Sequence, residues 1–151
     1  MSDRKAVLGS DHAAVGLRRL LSDRLAAAGY EVVDLGLAEG ESVDYPDQAE
    51  AVASAVGRGE ADLGVLACGT GIGMSIAANK VQGVRAALVH DPFSARMARA
   101  HNAANVICFG ARVTGEELAL ASLDAFLDAS VDEAQRHSRR RGKLASLERE
   151  A

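Results

Sequence analysis

Apolar residues fall along this chain in two alternating rhythms. Five short runs are apolar nearly throughout: KAVLGS (5–10), EVVDLG (31–36), DLGVLA (62–67), VRAALVH (84–90) and NVICFG (105–110). Their length and β-branched content predict strands. The third, fourth and fifth lack the polar alternation of a half-solvated strand, which predicts burial on both faces, as in a parallel sheet covered by helices.

Helical spacing fills the intervals. Leu17, Leu20, Leu21 and Leu25 form one apolar stripe that Gly29 closes. Pro46 suits the first turn of a helix carrying Ala49, Val52, Ala53 and Val56; Asp91 before Pro92 starts another; Thr114 with Glu117 has the spacing of a capping box ahead of Leu118. A tail over 131–150 has charged faces and one internal glycine, Gly142. Strict β-α alternation predicts a three-layer α/β/α sandwich with a five-stranded parallel sheet, order 2-1-3-4-5, plus a C-terminal helix. One domain is expected over 1–151, with 131–151 as its helical tail. In that order the switch point lies between strands one and three. The loop at Ser10, Asp11 and His12 and the loop from Cys68 to Gly73 therefore border one crevice.

Composition narrows the function classes. With 48% apolar residues the chain can bury a core without disulfides or a structural metal. No run reaches membrane-spanning length and no signal-like segment opens the chain, so a cytoplasmic protein is expected, with Cys68 and Cys108 reduced. His12, His90, His101 and His137 show no metal-ligand spacing, so no metal is expected. The net charge is −4, yet residues 136–151 carry six basic side chains against two acidic ones, which leaves −8 on the rest. Such a body repels a nucleic-acid backbone, and any anion it binds must be small and met by a local cationic site.

The stretch CGTGIGMSIAANK (68–80) carries the candidate chemistry. No Lys-Ser or Lys-Thr pair follows the glycines, as a P-loop requires. The GxGxG spacing also departs from the dinucleotide fingerprint GxGxxG. Asp91 mimics that fingerprint's ribose ligand, but helix capping before Pro92 explains it. Glycines at a helix start still present backbone N–H groups to an anion or a developing oxyanion. A cysteine beside them gains thiolate character from the helix dipole and can act as base or nucleophile. A small buried strand-end residue is the plainer account of Cys68, and its place at the predicted switch point favours the functional one. Cys108, among apolar neighbours, reads as core.

Together with GSDHA (9–13), SVDYPDQA (42–49), VRAALVHDPFSARMARAHNAAN (84–105) and FGARVTG (109–115), that stretch resembles the ribose-5-phosphate isomerase B family, whose relatives include the galactose-6-phosphate isomerase subunits. The resemblance spans nearly the whole chain. It implies a cofactor-free and metal-free aldose–ketose isomerase acting on a phosphorylated sugar through a cis-enediolate, with ribose 5-phosphate and ribulose 5-phosphate as the expected pair in the pentose phosphate pathway. It further implies Cys68 as the base and His101 as the ring-opening proton donor. Asp11 would assist ring opening or bind the ring hydroxyl, and Thr70 with the N–H groups of Gly69, Gly71, Ile72 and Gly73 would hold the enediolate. Asn102 would bind sugar hydroxyls, while Arg112, Arg136 and Arg140 would clamp the phosphate. Two readings fit His12, a phosphate contact or part of a helix cap. Tyr45 is expected to close the pocket from a neighbouring subunit, since family members are dimers or tetramers with sites at subunit contacts. Arg139, Arg141 and Lys143 are left as a solvated face, although the surplus of arginines leaves the register of the clamp open by one position. Some members use serine and a downstream glutamate instead; Ile72 and Met74 at those loop positions place this chain with the cysteine type. An allose, galactose or erythrulose phosphate substrate, or a noncatalytic sugar-phosphate-binding subunit, are the alternatives.

Overall fold

A computed structural model describes residues 3–38 and 40–148. The expected tail residues Arg149 and Glu150 lie outside the described residues. Five parallel strands, β1 (Lys5–Ser10), β2 (Glu31–Asp34), β3 (Leu63–Cys68), β4 (Ala86–Leu88) and β5 (Val106–Gly110), form one sheet. The helices are α1 (Val15–Ala27), α2 (Tyr45–Gly57), α3 (Ile72–Ala78), α4 (Pro92–Asn102), α5 (Glu116–Asp128) and α6 (Gln135–Ala145), with a short 3-10 turn at His12–Ala14 before α1. None of them is long and apolar enough to cross a membrane.

The sheet is the expected α/β sandwich, and its order is β2-β1-β3-β5-β4. The switch point between β1 and β3 is where the pattern places it, while β5 lies inside β4 at the far side. Burial explains the arrangement: β3 and β5 are buried at every position, whereas the three residues of β4 are only half-buried, as suits an edge. The side chain of Asn79 covers that edge, donating to Ala86 O at 2.9 Å and accepting from Ala86 N at 2.8 Å.

Alternation along the strands divides the core in two. Leu8, Val65, Ala67, Ile107 and Phe109 face Leu17, Leu21 and Leu25 of α1 and Leu123 and Phe126 of α5. Val7, Leu66, Cys68, Val106 and Cys108 face Val52 and Val56 of α2 and Met74 and Ala78 of α3. The two cysteines thus share one face of the sheet. Asp91 caps α4 as expected, accepting from Ser94 N at 2.7 Å. Thr114 does not cap α5: Gly115 holds that position, and the Thr114 N–H is drawn back to Gly110 O at 2.9 Å, leaving the Thr114 hydroxyl buried without a hydrogen bond.

Candidate active site

The thiol of Cys68 sits at the carboxyl end of β3, where the chain must turn sharply into α3. The turn depends on Gly71, which has φ +77° and lies so close to β5 that an added Cβ would stand 2.8 Å from the Phe109 carbonyl carbon. This conformation aims the Gly71 N–H at Cys68 Sγ, 3.1 Å away, a donor suited to a sulfur that carries charge. Thr70 Oγ1 accepts from Ile72 N at 3.2 Å, so its hydroxyl braces the loop while Gly71 occupies the cap position. The first-turn N–H of Gly73 has no acceptor within its own helix. Arg112 joins the group from the turn after β5. Ala111 N donates to Cys68 O and Arg112 N to Gly69 O, both at 2.9 Å, and the Arg112 guanidinium lies against Gly69.

The loop after β1 borders the same crevice, because Asp11 N donates to Ala67 O at 3.2 Å. Asp11 is buried and its Oδ1 caps the 3-10 turn through Ala13 N at 2.9 Å. Its neighbour Ser10 is held by buried Arg18, whose Nη1 donates to Ser10 Oγ at 2.9 Å while Nε pairs with Asp34 at 2.8 Å. His12 is exposed, with Nδ1 3.3 Å from Ser42 Oγ, and it lines a cleft of about 530 Å³ with Arg19 and Leu37. Tyr45 differs from expectation. Its ring packs on Gly73 of its own chain, so closely that a Cβ there would come within 2.5 Å of it. Tyr45 opens α2, and the Pro46 start of that helix delivers the ring to the loop of its own subunit.

The remaining predicted residues lie along the amino-terminal edge of the sheet, where its strands begin, opposite the carboxyl-terminal edge at which Cys68 ends β3. His101 and Asn102 end α4, which returns the chain to the start of β5; Arg85, just before β4, donates from Nε to Asn102 O at 2.9 Å and to Ala103 O at 3.1 Å. Gly64 pairs with Val106 and Cys68 with Gly110 along β5, so at ~3.3 Å per residue the two edges are roughly 13 Å apart. Asn102 is exposed and lines a cleft of about 910 Å³ with Lys80, Arg85 and Leu144. Arg136 and Arg140 project from α6 beside this edge and are exposed. One chain therefore groups Asp11, His12, Tyr45, Cys68, Thr70, the loop glycines and Arg112 at one edge, and His101, Asn102, Arg136 and Arg140 at the other.

Sequence reasoning missed three residues at that second edge. His137, buried on α6, stacks on His101 with ring centroids 4.2 Å apart, and Asp132 Oδ2 lies 3.7 Å from His137 Nε2. Arg141, expected on a solvated face, instead donates from Nη1 to His101 O at 3.0 Å and to Asp132 O at 3.1 Å. The only signal was a histidine inside an arginine run. His101, Asp132 and His137 offer ligand atoms within 4.8 Å of one another, but rings only 12° from parallel direct their lone pairs side by side rather than at one ion. Burial pushes the Cys108 thiol well above its usual range, and nearby Cys68 adds to the shift, so Cys108 stays protonated at neutral pH.

A doubly wound α/β sheet with a thiol and a glycine turn at its switch point defines the class of protein. The chain belongs to the ribose/galactose isomerase family, whose sequence model matches residues 6–144. It is 44% identical over 145 residues to ribose-5-phosphate isomerase B of Escherichia coli K12, covering 96% of this chain and 97% of that protein. It is 47% identical over 126 residues to D-erythrulose-4-phosphate isomerase of Pectobacterium atrosepticum, covering 83% of each. A solved ribose-5-phosphate isomerase B from Mycoplasma genitalium with bound ribulose-5-phosphate superposes with a TM-score of 0.93 at 39% identity over the full length of both chains.

Proposed function

We propose that this chain is a cytoplasmic aldose–ketose isomerase, one domain over its length, that interconverts ribose 5-phosphate and ribulose 5-phosphate. The observation that carries the reading is the Gly71 N–H directed at Cys68 Sγ at the switch point. His101 protonates the ring oxygen as the furanose opens, with Asp11 holding the hydroxyl that becomes the carbonyl. The Cys68 thiolate then takes the C2 proton and returns it to C1. Meanwhile Thr70 and the N–H groups of Gly69, Gly71, Ile72 and Gly73 hold the enediolate oxygens. Forked guanidinium groups of Arg112, Arg136 and Arg140, with His12, bind the phosphate, and Asn102 meets the sugar hydroxyls.

No single chain can perform this sequence, because Cys68 and His101 end at opposite edges of the sheet. The working unit is a homodimer, or a tetramer built from it, in which the His101 edge of one chain meets the Cys68 edge of another. Ile72, Phe93 and Val113, large apolar residues at least half exposed, support such a contact because they follow the carboxyl ends of β3, β4 and β5.

The erythrulose phosphate relative makes sugar length the open choice. Comparing kcat/KM over four-, five- and six-carbon aldose and ketose phosphates tests it. Ribose 5-phosphate should lead by roughly tenfold or more; a clear preference for a four- or six-carbon sugar would replace the substrate, and binding without turnover by the purified protein would remove the enzyme reading.

A further inference from the structure

The contacts around His101 form a frame that the isomerase reading leaves unused. Asp132 N donates to Ala100 O at 2.7 Å, and Arg141 Nη1 ties His101 O to Asp132 O, so the turn before α6 is fastened to the last turn of α4. Fastening brings the His137 ring flat against His101, 4.2 Å apart and 12° from parallel. His137 is 6% exposed, and its Nε2 has no hydrogen-bond partner among the described residues. A stack this close on a half-buried imidazole fixes the plane of that ring.

We infer that His137 is a positioning residue for His101: its buried ring fixes the plane from which His101 passes its proton to the substrate. This inference rests on the reading of His101 as the ring-opening acid. The charge surroundings fit the division of labour. Burial first, then the charges of His101, Arg136 and Arg140, hold the His137 imidazole below its ordinary value, and Asp132 opposes them only in part. Arg141 and Glu133 pair beside Asp132, while Arg85 and Arg99 stand on the α4 side. An uncharged aromatic face can then carry a neighbour that gains and loses charge, whereas two stacked imidazolium ions would repel.

Three variants test the inference: His137→Ala, His137→Phe and, as the control for the acid reading, His101→Asn. Ribulose 5-phosphate cannot close a furanose, since its C5 oxygen carries the phosphate; exchange of its C1 hydrogen with deuterated solvent therefore needs Cys68 but no ring-opening acid. His137→Ala should lower kcat on ribose 5-phosphate roughly 10- to 100-fold, as expected for a misplaced acid. Its KM and C1 exchange should stay within about threefold of the parent, and His137→Phe, which keeps a stacking ring, should recover kcat to within about fivefold. A phenylalanine variant no better than the alanine one would overturn the inference, as would a fall in C1 exchange and a rise in KM that accompany the loss of kcat. If His101→Asn keeps full turnover, the acid reading fails separately. Proton NMR of the His101 ring then decides positioning alone: carbon-bound ring protons shifted by a stacked aromatic neighbour are expected in the parent and in His137→Phe and the loss of that shift in His137→Ala, and unaltered signals in all three would contradict the role.

Discussion

Cys68 and His101 stand at opposite edges of one sheet, the first closing β3 at its carboxyl end and the second closing α4 beside the amino end of β5. Every consequence for catalysis depends on this separation. In the proposed reaction a thiol that moves a carbon-bound proton and an acid that opens the ring must reach the same small sugar, and the strand length that lies between the two ends, roughly 13 Å, exceeds hydrogen-bond reach several times over.

The loop that presents Cys68 tolerates no side chain at its turn. In Gly71→Ala the methyl would stand 2.6 Å from Leu88 Cδ1 and 2.8 Å from the Phe109 carbonyl carbon, at a φ of +77°. A left-handed alanine costs about 1–2 kcal/mol and overpacking about 1–3, so urea unfolding should show a loss of roughly 2–5 kcal/mol. Activity should fall with it, because the N–H that meets the sulfur moves. An unchanged urea midpoint would mean that the turn relaxes freely.

Strain of the opposite kind lies behind His101. Ala103 ends α4 at φ 48°, the one non-glycine with positive φ among the described residues. Ala103→Gly should therefore raise stability by about 0.5–1 kcal/mol, the relief of the methyl clash less the added chain entropy. A lower midpoint would show that the methyl contributes packing that outweighs the strain.

Acid should weaken the fold in two windows. His137 titrates below its ordinary value of 6.5, so the unfolded chain binds the proton more readily; stability is full above that value and falls as pH drops toward the folded one. Asp91, through its hydrogen bonds from Ser94, and Asp132, through that from Ala134 N, are held below the ordinary 3.8, and their contribution is lost only below it. In urea titrations between about pH 7 and pH 5, His137→Phe should lose stability less steeply than the parent. Equal slopes would show that His137 is not the group responsible.

Much of this architecture was legible in the residue pattern. The runs ending at Cys68 and Gly110 are apolar throughout because β3 and β5 are covered on both faces, and the switch point followed from strand alternation alone. The place of β4 was not legible: VRAALVH reads like a central strand, yet only three of its residues pair and they lie at the edge. The place of the Tyr45 ring was not legible either: the resemblance suggests a neighbouring subunit, and the residue spacing says nothing of where the Pro46 helix start delivers the ring. His137 and Arg141 were hidden for a related reason. Burial within a charged helix is decided by what that helix docks against, and the clasp through Asp132 joins residues that no local periodicity connects.

The most direct test mixes two inactive proteins. Cys68→Ala and His101→Asn should each fold yet lose ribose 5-phosphate isomerisation as homodimers. After subunit exchange at equal amounts, activity should return to about one quarter of the parent, since half the dimers are hybrids and each hybrid restores one of its two sites. Activity that stays at the level of the separate variants, with hybrid dimers demonstrated by mass, would contradict a site shared between chains; full activity of either variant alone would contradict its residue's role.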